Sequence, residues 1–168
     1  SRARFDYLGP LDGANSAALD GVPSLDEAGG FYFVSPRAYD ETRNTLWRGV
    51  FDDGAVTDIA PLPGSVSRDQ PLWLNMDAEI SADGERLYFT ENRWRLFGGG
   101  VIRSNIFVAQ KNAEGGFAVD PRSEEIFANV NTRLMEFAPA TSEDELTLYF
   151  TRVDRDALRQ GREDGFGL

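Results

Sequence analysis

The chain has 168 residues, a length that fits one domain, and its 41% apolar and 27% charged content is that of an ordinary globular protein rather than a disordered one. Its 28 acidic and 17 basic side chains leave a net charge of −11, which argues against phosphate backbones and anionic lipid as partners. Having neither Cys nor His, the sequence excludes disulfides, thiol nucleophiles, histidine-based catalysis and zinc sites of the usual ligand type.

No apolar run approaches the ~20 residues of a membrane helix, so no membrane insertion is expected. The opening Ser1-Arg2-Ala3-Arg4-Phe5-Asp6 has no signal-peptide core and starts with Ser, which reads as a processed chain or a piece of a longer one. Phe5-Asp6-Tyr7-Leu8-Gly9 reads as a strand left over from an earlier unit. Pro23 to Ser35 reads as a β-hairpin turned by Glu27-Ala28-Gly29-Gly30. A third strand is expected at Thr45–Phe51 and a fourth, past the Asp53-Gly54 turn, at Val56–Ile59.

After the Pro61-Leu62-Pro63-Gly64 connector the same order returns. Asp83-Gly84 predicts a hairpin with Gly84 at positive φ, pairing Ala78–Ser81 with Arg86–Phe89. Third and fourth strands are expected at Ser104–Ala109 and Phe117–Val119. A long loop carrying Trp94 and Gly98-Gly99-Gly100 separates the second and third strands. That glycine run lacks the Lys-Ser/Thr and the helix of a phosphate-binding loop. Glu124–Val130 supports one helical turn at most. A last hairpin, turned by Glu143-Asp144-Glu145 without Gly, leads into Leu146–Thr151. By spacing, the next strand falls at Asp164–Leu168, where the sequence stops. Residues 134–152 are therefore expected to form two strands only, with Leu146, Leu148 and Phe150 on a bared apolar face.

Three hairpins in this series share one pattern of Ser, acidic or Gly turn residues, an aromatic pair and a hydroxyl residue. Ser24 and Ser81 are 57 positions apart, and Ser81 and Ser142 are 61 apart. The run Ser81-Ala82-Asp83-Gly84-Glu85-Arg86-Leu87-Tyr88-Phe89-Thr90 resembles the TolB-like, WD40-like (PD40-type) propeller repeat, with Ala82 in place of the usual Pro. Ser24-Leu25-Asp26 and Ser142-Glu143-Asp144 are weaker copies. The resemblance implies an all-β fold of consecutive four-stranded antiparallel β-propeller blades, about two and a half to three of them. These form one partial propeller domain over residues 1–168, with repeat cores at 15–60, 75–120 and 134–168. It leans toward a periplasmic or secreted protein, while the residues alone leave the compartment open. An incomplete propeller exposes sheet edges, so self-association or a continuing chain is expected to complete it.

Two sets of residues carry candidate chemistry. Asp20, Asp77, Glu79 and Glu136 stand near the starts of the innermost strands. Converging there, they are either hard ligands for Ca²⁺ or, for Asp77, Glu79 and Glu136, the acid and base of a carbohydrate-active propeller enzyme. Otherwise they are solvated or paired with Arg. Trp94, flanked by Arg93 and Arg95, suits stacking on a sugar ring or gripping a peptide. Fold does not fix function in propellers. The expectation is a non-catalytic segment that binds protein or carbohydrate, with the enzyme as the alternative.

Overall fold

Aromatic and β-branched runs separated by Gly- and Asp-bearing turns favour pleated strands over helices. The computed structural model, which describes residues 6–7, 9–67, 70–96, 100–160 and 166–167, is accordingly all-β. Four strands, β1 (Gly21–Leu25), β2 (Gly30–Val34), β3 (Leu46–Asp52) and β4 (Ala55–Pro61), form one antiparallel sheet in chain order. A short helix, α1 (Tyr39–Thr42), joins β2 to β3. The next strands, β5 (Trp73–Ile80), β6 (Arg86–Trp94) and β7 (Val101–Lys111), repeat that order, and β8 (Phe117–Val119) pairs with the far end of β7. After the single turn of α2 (Ser123–Ile126), β9 (Met135–Thr141) and β10 (Leu148–Val153) pair antiparallel. One parallel bridge, Ser104 to Met135, joins β9 to β7 and makes a single seven-stranded sheet of both groups. Among the described residues no helix is long and apolar enough to cross a membrane.

The third group does not stop at two strands. Past the helix α3 (Arg155–Arg159), β11 (Phe166–Gly167) pairs with Arg152 and Val153, at the position the strand spacing selects. Of the stray strand expected at Phe5–Gly9, Phe5 and Leu8 lie outside the described residues, and Asp6, Tyr7 and Gly9 are not in a strand.

Each group opens on the same hairpin. In the second, Ser81 Oγ donates to Asp83 (2.6 Å) and accepts from Arg86 N–H (2.9 Å), while Glu85 N–H donates to Asp83 (3.0 Å). Ser142, Asp144, Thr147 and Leu146 reproduce that set, in the same order, at 2.6, 3.0 and 3.1 Å. Gly84 stands at φ +72, as its turn requires, and Glu145 takes φ +55 in the equivalent place. The first group corrects the sequence alignment. Ser24 lies in β1 opposite Tyr32, and Asp26 opens the turn instead, accepting from Ala28 and Gly30 N–H. The true register follows the aromatic pairs Tyr32-Phe33, Tyr88-Phe89 and Tyr149-Phe150, with Ser24, Glu79 and Ala140 opposite the three tyrosines.

A second recurrence is invisible in sequence. Each opening strand carries a β-bulge two residues before that tyrosine partner, and its first residue takes positive φ: Val22 (+53), Asp77 (+55) and Ala138 (+52). A bulge re-aims the strand and increases its twist. The pairing of Ala78–Ser81 with Arg86–Phe89 is therefore interrupted at Asp77-Ala78 and regular from Glu79 onward.

Alternation along β2, β6 and β10 sorts side chains onto two buried faces. Tyr32, Val34 and Leu46 face the second group and pack with Ile80, Leu87 and Phe89. Phe31, Phe33 and Trp47 face the other way and are covered by Leu11 and Ala14 of the N-terminal segment. Leu148 and Phe150 turn inward onto Tyr88, Ile106 and Val108, contrary to the expected bared face. The outward residues are Tyr149, 64% exposed, and Leu146, 85% exposed. Tyr149 thus stands open where Tyr32 is buried and Tyr88 is half-covered, the Tyr88 hydroxyl donating to Glu145 (2.6 Å).

Candidate functional site

Opening strands β1, β5 and β9 run beside one another without pairing. Side chains link them. Ser24 Oγ donates to Glu79 (2.9 Å) and accepts from Ile80 N–H (3.0 Å). One group further on, Glu79 accepts from Thr141 N–H (3.4 Å). The same position therefore bonds the next strand's backbone twice in succession, and the third copy, Ala140, has no polar group to continue. Asp77 adds a parallel link, accepting from Ala138 N–H (3.2 Å).

The four candidate carboxylates are thus engaged by protein groups. Asp20 pairs with Arg37 (2.7 Å) and accepts from Ser16. Glu136, with no exposed surface, pairs with Arg152 (2.9 Å) and accepts from Thr132 N–H (3.1 Å) and Thr132 Oγ (2.5 Å). Among the described residues no three carboxylates are placed to hold a metal ion. Burial opposes the charge of Asp20, but hydrogen bonds from Ser35, Arg37 and Ser16 outweigh it and hold its pKa at about 2, against an ordinary 3.8. A depressed carboxylate stabilises the fold above its unfolded pKa and loses that contribution as pH falls through the folded one. The stability difference between wild type and Asp20→Asn is accordingly about 2 kcal/mol and flat above about pH 5, then shrinks progressively toward about pH 1. Urea unfolding at stepped pH measures it, and a difference that grows on acidification would contradict the assignment.

Asp77 differs from the other three. It lines a cleft of about 380 Å³ between the second and third groups, and burial pushes its carboxyl up, with the Ala138 N–H and the Thr90 hydroxyl working the other way. Met76 and Asp77 enter the cleft from β5, Asn92 and Trp94 from β6. Val101 and Ser104 of β7 and Met135 and Phe137 of β9 close it. Four apolar walls therefore surround a short polar edge, the usual make-up of a small-molecule site. Asn92 is 5% exposed, and the Trp94 Nε1–H is buried without an acceptor. A buried donor left unpaired is costly, so such groups mark either strain or a missing partner.

Two sequence candidates, Asp77 and Trp94, therefore meet in one cleft. The flanking arginines do not join them. Trp94 ends strand β6 rather than lying in the loop, and alternation sends Arg93 to the opposite face, where it stacks on the Trp73 ring at 5.6 Å. Arg95 is exposed beyond the strand end. Phe97, Gly98 and Gly99 lie outside the described residues. Sequence reasoning missed Asn92, whose i, i+2 relation to Trp94 is the signal that finds it. It also missed Met76, Ser104, Met135 and Phe137, which only the stacking of groups brings near. The positive φ of Asp77 is no mark of this site, since Val22 and Ala138 share it. No protein-family model matches the chain, and no curated protein matches it.

Proposed function

We propose that the chain is a segment of a TolB-like, WD40-like β-propeller, with its three strand groups as successive blades, and that it binds a ligand without converting it in the Asp77–Trp94 cleft. The observation that supports this most is the threefold recurrence of the bulge at Val22, Asp77 and Ala138, with Ser24 and Glu79 each bonding the following inner strand. Such repetition is what successive blades around a common axis give, and the cleft lies between two of the repeated groups, walled by apolar side chains with a few polar groups as ligand sites are. The outward face bearing Tyr149 and Leu146 then receives a further blade, from a continuing chain or a second copy. The carbohydrate-enzyme alternative rests on Asp77, Glu79 and Glu136, two of which are consumed by protein partners.

Labelling with 5-fluorotryptophan gives three ¹⁹F resonances, and the one lost in Trp94→Phe reports the cleft. Titration with a panel of neutral, acidic and basic mono- and oligosaccharides and short peptides is expected to shift that resonance for at least one member, which mass spectrometry then recovers unchanged. A panel that leaves the Trp94 signal still, or a member that is cleaved, would refute the reading.

A further inference from the structure

We propose that the ligand of the Asp77–Trp94 cleft is a neutral sugar, whose apolar ring face rests on Met76, Met135 and Phe137 and whose hydroxyls bond the cleft's polar edge. This rests on the reading of the cleft as a ligand site and adds the chemical class. The polar edge decides between classes. Trp94 contributes a donor with no acceptor, so the ligand must bring a lone pair. Asp77 accepts from the Ala138 N–H (3.2 Å) and from the Thr90 hydroxyl, and its two carboxylate oxygens keep further lone pairs, so the ligand must also bring a donor. Ser104 Oγ spends its proton on the Glu136 carbonyl (2.9 Å) and offers lone pairs only, while the Asn92 amide offers both a donor and an acceptor.

One hydroxyl is donor and acceptor at once, so adjacent sugar hydroxyls satisfy Trp94 and Asp77 together. An ammonium ion has only donors and leaves the indole unpaired. Carboxylates and phosphates meet the opposite difficulty: they have only acceptors, and they approach an Asp in a chain of net charge −11. The walls complete the case. Methionine thioethers and an aromatic ring make dispersion contacts with C–H surfaces, which a pyranose presents on one face. A volume of about 380 Å³ sits at the small end of ligand sites and suits one or two rings of a short oligosaccharide, any further ring staying in solvent, rather than a folded partner.

Calorimetric titration tests this with four probes: maltotriose, glucosamine, glucuronic acid and an N-acetylated alanine tripeptide amide. Wild type is expected to bind maltotriose, with binding by glucosamine and glucuronic acid at least tenfold weaker. Trp94→Phe, which keeps the ring and removes the donor, should weaken maltotriose about tenfold, the worth of one hydrogen bond to a buried group. Asp77→Asn, which keeps an acceptor but removes the charge, should change maltotriose affinity less than about threefold. Glucosamine binding most tightly and losing that affinity in Asp77→Asn would overturn the proposal in favour of a cation site. Tight binding of the tripeptide amide with the sugars silent would overturn the sugar assignment and leave the binding reading intact. If no probe here or in the wider ¹⁹F panel perturbs Trp94, the binding reading itself falls. Urea unfolding of both variants shows whether they fold, and an Asn92→Ala variant repeats the hydrogen-bond test should Trp94→Phe fail to.

Discussion

Replacing Arg152 by Ala should destabilise the protein by about 3–5 kcal/mol, the cost of leaving a buried charge without its partner. Glu136 has no solvent-exposed surface, and Arg152 meets it at 2.9 Å. The same guanidinium donates to the Val130 carbonyl (2.7 Å) and lies 5.2 Å from the Phe150 ring centroid. One side chain thus ties β10 to β9 and to the segment that follows α2. With it removed, Glu136 keeps only its bonds from Thr132, which offset part of the desolvation of a carboxylate. Glu136→Leu combined with Arg152→Met should recover most of the loss, because an apolar pair of similar volume carries no desolvation cost and the exposed Thr132 can turn to water. Urea unfolding of the two single variants and the double one gives the coupling directly. A loss under about 1 kcal/mol for Arg152→Ala would mean that Glu136 is served by other groups, and its role as a structural lock would fail.

Gly64→Ala is the second large effect, expected at about 3 kcal/mol or more. Gly64 lies in the connector between the first and second groups at φ +108, a conformation in which a side chain is strained wherever it points. Here there is also no room, because an added Cβ collides with the Phe117 carbonyl. The connector is clamped on that residue from both sides. Phe117 N–H donates to the Pro63 carbonyl (3.0 Å) and Ser65 N–H to the Phe117 carbonyl (2.8 Å). Phe117 itself is fully buried in the core between the first two groups, its ring edge-on to Tyr32 at 6.0 Å. Relieving the clash therefore means moving the start of β8 and the core beneath it. Gly54→Ala is the matched control: φ is +80, but open space surrounds the new methyl, so only the backbone cost of about 1 kcal/mol remains. Equal losses for the two variants would remove the steric argument.

Local chemistry in the sequence determines a good part of this protein. Aspartate and glycine at Asp53-Gly54 and Asp83-Gly84 carry their own conformational preference, and the aromatic runs beside them prefer a pleated surface, so hairpins, strand order and the short α2 are legible in the sequence. The strand spacing likewise places the two strands of residues 134–152 and the further strand β11 beyond them. Stacking decided what local chemistry does not encode. Whether Ser24 or Asp26 opens the first turn depends on which residues pair across the hairpin, and the bulges at Val22, Asp77 and Ala138 arise in three unlike sequences. Glu136 and Asp77 are both acids on the opening strands of their groups, yet one is locked by an arginine sixteen residues away and the other faces a cleft. Arg152 is the direct cross-strand partner of Glu136 within the β9–β10 hairpin, whereas the cleft that Asp77 faces is closed by Met135 and Phe137, which come near only once the groups pack. The meeting of Asp77 with Trp94, and the parting of Trp94 from its arginine neighbours, follow from the same cause: alternation assigns faces along one strand, but only packing decides what each face meets.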